Sequence, residues 1–178
     1  MMSYCSQCGA ALELRIPEMD DRLRHCCNAC GAIHYENPKI VVGVLPVFDE
    51  KILLCKRAIE PQKGLWTVPS GFMENGESLE DGALREAYEE AGIRPQLTRL
   101  HTIYSLPHIN QVYFLFLGKM LDDQSKKGIE TEALEWVTLT DIPWSDLAFS
   151  SVKFALKAYQ KDLSSGNTQV HSGVYKVS

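Results

Sequence analysis

The sequence has little of what marks a membrane or secreted protein. Its longest apolar stretch, residues 40–48, is broken by Gly43 and Pro46 and falls far short of the ~20 residues that span a bilayer. The opening residues Met1-Met2-Ser3-Tyr4-Cys5 carry neither the basic start nor the apolar centre of a secretory signal, so a cytoplasmic location with reduced thiols is expected. Positive charge is not in excess. Lys and Arg number 18 against 23 Asp and Glu, a net charge of −5, which argues against a surface built to attract nucleic acid or anionic lipid. No internal repeat and no low-complexity tract is present. The 178 residues, 45% of them hydrophobic, suffice for one globular domain with a small appended module.

Cysteine is scarce after residue 30, where Cys55, set in an apolar run, reads as a small buried hydrophobe. Before that point it is dense. Cys5-Ser6-Gln7-Cys8-Gly9 and Cys27-Asn28-Ala29-Cys30-Gly31 are two C-x2-C-G knuckles separated by 18 residues, a spacing found in structural zinc sites. Each knuckle aims two thiolates at one ion, and the following glycine allows the tight turn. Cys5, Cys8, Cys27 and Cys30 thus form a closed tetrahedral set, with Cys26 a bystander. Between them Leu12, Leu14 and Ile16 predict a strand, residues 17–21 a turn, and a second strand returns. About 30 residues cannot hold this hairpin by core burial, so the metal must.

Beyond it the pattern predicts strands at 40–48, 51–56 and 66–68, a helix opened by Ser78 and stopped by Gly92, strands at 99–105, 111–120 and 134–139, and a helix at 151–163. That last helix would turn Val152, Ala155, Leu156, Tyr159 and Leu163 inward, and the polar stretch after Ser164 reads as loose. Three units are therefore expected: a zinc hairpin at 1–36, a larger domain at 37–164 and a tail at 165–178.

On the first helix Arg85, Glu86, Glu89 and Glu90 share an arc of about 140°, with Ala83, Leu84, Ala87, Tyr88 and Ala91 turned inward on the rest. Most charged helical stripes are solvated faces. Here, however, the three glutamates repel at i,i+3 and i,i+4 unless a cation lies among them, and three carboxylates suit Mg2+ or Mn2+. Arg85 would offset part of this acidity by a bidentate contact, for which Glu77 is the candidate.

Read from Gly71, the order Gly71, five residues, Glu77, seven residues, Arg85-Glu86-Ala87, Tyr88, Glu89-Glu90, Ala91, Gly92-Ile93 resembles the Nudix box G-x5-E-x7-R-E-U-x-E-E-x-G-U without a gap. Ala87 is small for its position, and Ser70 stands where Pro-Gly-Gly is usual. The resemblance covers residues 39–163. It implies an α/β/α sandwich around a mixed sheet, and hydrolysis of a nucleoside diphosphate linked to a further group. It further implies that Glu86, Glu89 and Glu90, with the Gly71 carbonyl, hold Mg2+ or Mn2+, and that Glu86 takes the proton of the attacking water. Glu130, Glu132 and Glu135 are alternatives for the base, although each reads first as a surface carboxylate. Arg57 resembles an arginine used on substrate phosphate, and Trp66 is a candidate base-stacking residue whose simpler reading is core. His101 and His108 carry no pattern that forces a role.

A zinc ribbon before such a domain is similar to the NADH pyrophosphatases, but their S-Q-P-W-P-F-P segment is absent after the box. Asn37-Pro38-Lys39, Leu54-Cys55-Lys56-Arg57, Gly64-Leu65-Trp66-Thr67 and Leu147-Ala148-Phe149-Ser150-Ser151 resemble the plant plastid FAD and ADP-ribose pyrophosphatases. That implies a small-molecule ADP-containing substrate and AMP as a product. A nucleotide sensor without activity is the other class, against which the complete set of box carboxylates argues. The ribbon sets Arg15, Arg22, Arg24 and His25 against Glu13, Glu18, Asp20 and Asp21, a balance unsuited to reading a phosphate backbone. Its expected job is structural, with a homodimer interface or a cover over one end of the substrate cleft as options.

Overall fold

The computed structural model describes residues 2–176. It divides into two units, one ending at Asn37 and the next beginning at Pro38. In the first, β1 (Leu12–Arg15) and β2 (Arg24–Cys27) form the expected antiparallel hairpin, with Leu12 opposite Cys27 and Arg15 opposite Arg24. A third strand not anticipated, β3 (Ile33–His34), pairs with β2. Asp20 organises the hairpin turn, its carboxylate accepting from the Asp21 and Arg22 amides and from Arg24 Nε at 2.9 Å. Among the described residues the buried apolar side chains of this unit are Cys5, Pro17, Cys26 and Cys27, while Leu14, Ile16 and Leu23 are exposed. So small an apolar core cannot offset the chain entropy of ordering the hairpin.

In the second unit, side chains alternate between two apolar faces. The strands are β4 (Lys39–Phe48), β5 (Lys51–Arg57), β6 (Trp66–Thr67), β7 (Ser70–Phe72), β8 (Gln96–Leu106), β9 (Gln111–Lys119), β10 (Thr131–Thr138) and β11 (His171–Val174). The sheet runs β10-β5-β4-β9-β8-β11, with β6 added to β5 and β7 to β4. It is mixed: β4 is parallel to β9 and β11 to β8, the other pairs being antiparallel. Val42 and Val44, Leu53 and Cys55, and Phe116 face α1 (Leu79–Ala91), meeting Ala83, Ala87 and Ala91. Their neighbours Leu45, Ile52, Leu54 and Leu115 face α2 (Ser150–Ser165), meeting Val152, Ala155 and Leu156. Burial on both faces explains why residues 40–48 read as a nearly continuous apolar run. Three alanines let α1 approach the sheet closely.

The helix boundaries follow the capping chemistry. Ser78 Oγ accepts the Asp81 amide at 3.1 Å, and Gly92, in the left-handed region at φ 65°, closes α1 with its N–H on the Tyr88 carbonyl.

Three expectations are corrected. The chain after Ser164 is not loose throughout: His171–Val174 pairs with β8, His171 opposite Thr102, and covers that strand's outer edge. Tyr88 does not turn inward but is 52% exposed, its ring under the Arg94 guanidinium. Leu163 is 59% exposed and Asp162 is buried in its place, because the last turn of α2 faces Arg99 and His171 through Asp162.

That phase is testable. Leu156→Ala, in the close-packed layer, is expected to cost ~2–5 kcal/mol by urea unfolding, whereas Leu163→Ala should stay within about 0.5 kcal/mol. Equal losses at both positions would overturn the assigned helix face.

Candidate active site and metal centre

The four knuckle cysteines converge. Cys5 Sγ lies 3.6 Å from Cys30 Sγ and Cys8 Sγ 3.5 Å from Cys27 Sγ, and all four sulfurs lie within 4.8 Å of one another. Thiolates ~2.3 Å from a tetrahedral zinc stand about 3.8 Å apart, so the set fits that ion. The free thiols titrate unequally. Burial raises Cys5, yet the Gln7 amide and the His34 ring, 3.3 Å away, bring it down to about 6. The Ala32 amide lowers Cys30, but Cys27 and Cys8 push it up to about 12. Four thiolates ionise together only around a cation.

The second site is carried by β7, which wedges beside the first half of β4 so that Val42 lies opposite Gly71 and Gly43 opposite Ser70. A Cβ at Gly43 would overlap the Ser70 side chain and the Pro69 carbonyl, so this glycine makes room for the serine that departs from Pro-Gly-Gly. A Cβ at Gly71 would overlap the Glu86 carboxylate. The strand and the helix can therefore lie this close only with glycine at 71.

Arg85 is the hub. Its Nε and Nη2 grip Glu77 at 2.6 and 3.2 Å, the bidentate contact expected. Nη2 also donates to the Phe72 carbonyl at 3.0 Å, while Nη1 donates to Glu86 at 2.7 Å and to Glu89 at 3.0 Å. Glu86 and Glu90 are buried, unlike the solvated stripe that the arc alone would suggest, whereas Glu89 is exposed. Burial pushes Glu86 up against the pull of Arg85. It pushes Glu90 up to about 7 despite the Ser70 amide that donates to it at 3.0 Å. Such carboxylates favour whatever positive charge reaches them. The convergence expected of the three glutamates is only partial, since Arg85 lies between Glu86 and Glu89. Among the described residues, the donor groups drawn within 4.8 Å are the four cysteines and His101–Asp162–His171. Oxygen donors short of countercharge still suit a hard divalent cation.

The NUDIX-domain family model matches residues 37–159, and a second, described as Nudix N-terminal, matches residues 3–36. The chain is a Nudix hydrolase. A crystal structure of a NUDIX hydrolase from Nitrosomonas europaea shares 47% identity and superposes with a TM-score of 0.93, covering 98% of this chain and 99% of that one. An ADP-ribose pyrophosphatase of Methanocaldococcus jannaschii is 32% identical over 71% of this chain and 76% of its own length. A NAD-capped RNA hydrolase NudC of Photobacterium profundum is 37% identical over 79% of this chain but only 52% of its own. The Nudix fold and the N-terminal zinc-ribbon module are those that the sequence implies.

In this Nudix hydrolase Arg57 ends β5, its Nε bound to the Pro61 carbonyl at 2.7 Å and its guanidinium over the Phe149 ring. Its charge opposes the burial that raises Glu90 and Tyr113. Trp66 is partly buried against the Leu45–Ile52–Leu54 cluster. Of the three later glutamates, Glu132 pairs with Lys56 at 3.0 Å and Glu135 is exposed on β10, whereas the charge of Glu130 reaches Glu86 and Glu90. His108 is exposed beside Tyr175. The Ser70 amide on Glu90 and the Phe72 carbonyl on Arg85 are backbone contacts that side-chain identities do not announce.

Two outcomes follow. Gly71→Ala should lower hydrolytic rate by at least about 100-fold by displacing Glu86, with a cooperative melt retained; an unchanged rate would refute the close contact. Removal of zinc from the full chain with a thiol-compatible chelator should abolish hydrogen-exchange protection at residues 12–15 and 24–27, and re-addition should restore it. Protection indifferent to chelation would mean that the hairpin does not depend on metal.

Proposed function

We propose that this enzyme hydrolyses the pyrophosphate bond of an ADP-containing small molecule of the ADP-ribose or FAD type and releases AMP. The observation that carries the reading is the buried, positively undersupplied carboxylate cluster at Glu86 and Glu90, set against Gly71 and steered by Arg85. The likeness to the M. jannaschii ADP-ribose pyrophosphatase supports the substrate class.

Glu86, Glu89, Glu90 and the Gly71 carbonyl would hold Mg2+ or Mn2+, which when bound neutralises the pyrophosphate and acidifies a water. The remaining work belongs to the chain. Arg85, fixed by Glu77 and the Phe72 carbonyl, orients Glu86 and Glu89 and prevents their mutual repulsion from splaying them. Glu86, its pKa raised by burial, accepts the proton of the attacking water. The water oxygen forms the new bond to phosphorus as the bridging P–O bond breaks, leaving AMP and the phosphorylated second half. Arg57, whose charge reaches Glu90, takes a phosphate oxygen. Zinc on the four cysteines is structural, since four thiolates leave no open position.

The match to a NAD-capped RNA hydrolase over 79% of this chain favours a second reading, an NAD(H)-type dinucleotide. AMP release from FAD, ADP-ribose, NADH, NAD and a nucleoside triphosphate, with Mg2+ or Mn2+, separates them. Metal-dependent cleavage led by ADP-ribose or FAD is expected, NADH preference would favour the second reading, and binding without turnover would make the protein a sensor. Glu90→Gln should reduce the rate by at least about 100-fold while shifting the melting temperature by only a few degrees. A rate unaffected by both Glu89→Gln and Glu90→Gln would remove the metal assignment.

A further inference from the structure

On the opposite face of the sheet from α1 lies a second polar cluster, assembled from three elements of the larger unit: His101 of β8, Asp162 in the last turn of α2 and His171 at the start of β11. We propose that it is a transition-metal site of the zinc class, with His101 Nδ1, Asp162 Oδ1 and His171 Nε2 as ligands, which fastens the last strand and the end of α2 to β8.

His101 is fully buried, and its Nε2 lies 3.0 Å from the Ala155 carbonyl. A carbonyl only accepts, so Nε2 carries the ring hydrogen and the neutral ring presents a bare lone pair at Nδ1. That atom has no hydrogen-bond partner and lies 3.7 Å from Asp162 Oδ2. Asp162 Oδ2 is already taken by Arg99, so the buried Nδ1 lone pair is the group left without a partner, in a place where unpaired polar groups are costly.

A proton satisfies the 2.7 Å pair of His171 and Asp162 but does not join Nδ1 to the carboxylate, because 3.7 Å is beyond the N–H···O range of 2.7–3.2 Å. An ion fits the geometry better. Ligands about 2.0–2.1 Å from a tetrahedral zinc stand about 3.3 Å apart; His171 Nε2 and Asp162 Oδ1 are 2.7 Å apart, and His101 Nδ1 is 3.7 Å from the neighbouring carboxylate oxygen, Oδ2. The donor atoms of all three residues lie within 4.8 Å of one another. Small ring movements in opposite senses would equalise the spacings.

The outer contacts are also those of a metal site. Ligating histidines characteristically donate their second N–H to a carbonyl, as His101 does to Ala155, and ligating carboxylates are themselves hydrogen-bonded. Arg99 Nη2 holds Asp162 Oδ2 at 2.5 Å, leaving Oδ1 toward His171. Two imidazoles and one carboxylate favour zinc, cobalt or nickel over magnesium. The fourth position is left to water.

The test uses the full chain with its cysteine-bound zinc in place and with Mg2+ in excess, so that sites elsewhere are common to all variants. Metal content and Zn2+ titration are compared between the wild type and His171→Gln, a partly exposed change that spares the buried His101. The wild type should hold one additional zinc per chain. His171→Gln should weaken that equivalent by more than the ~10–100-fold that loss of an outer-shell partner costs. Zn2+ should also slow amide exchange at residues 171–174 in the wild type and not in the variant. Identical stoichiometry, affinity and exchange in the two proteins would overturn the site and leave the cluster holding a proton only.

Discussion

The contact on which the catalytic region depends is the Arg85 guanidinium among Glu77, Glu86 and Glu89. Without it, two buried glutamates and an exposed one would sit within a helical turn of each other with no countercharge, an arrangement that destabilises any helix. With it, the same repulsion is aimed. Glu77 and the Phe72 carbonyl fix the arginine from the loop side, so the helix and the loop cannot shift independently without breaking several charge-assisted bonds. One arginine does not balance the cluster, however, and the residue of negative charge is what makes the site able to take a divalent cation. Stability is thus traded for uncompensated negative charge, as functional sites commonly do.

Positioning that cluster falls to backbone rather than side chains. β7 occupies the beginning of β4's edge, while β5 pairs with β4 only at its far end, through Val47–Ile52 and Phe48–Lys51. The gap between β4 and β5 admits β7 and so brings Gly71 over the helix. Gly43 and Gly71 are points where a methyl group would push these layers apart. Gly128 has the same role at the helix end, where its amide donates to the Glu90 carbonyl at 3.0 Å and leads the chain to Glu130. The loop after β9 is thereby held to the helix terminus and not left free.

How much of this is legible in the sequence depends on the range of the interaction. Helix α1 can be bounded from Ser78 and Gly92 because capping is local, and the cysteine set can be read from spacing because the ligands come in close pairs. The Arg85–Glu77 contact is foreseeable from eight residues of separation. Contacts that close only through the tertiary fold are not. The Ser70 amide on Glu90, the pairing of β11 with β8 and the inward turn of Asp162 join segments whose local composition reads as loop, tail and solvated helix. Leu163 misleads for the same reason: hydrophobicity favours burying it, but a buried Asp162 satisfied by Arg99 and His171 outweighs that preference.

The donor chemistry separates the metals that this chain can hold without any steric filter. Soft thiolates in a closed tetrahedron exclude magnesium, whereas hard carboxylates with open water positions suit a hard divalent cation. The same logic gives the two kinds of site opposite mechanical consequences. In the N-terminal unit two of the four ligands, Cys5 and Cys27, are among the few buried apolar groups, so metal and fold stand together. In the larger unit two packed layers already secure the sheet, and a cation at the box adds little to stability because the carboxylates are held by Arg85 and by backbone amides before it arrives. That preorganisation is what allows an ion and a substrate phosphate to exchange there during turnover while the scaffold stays fixed.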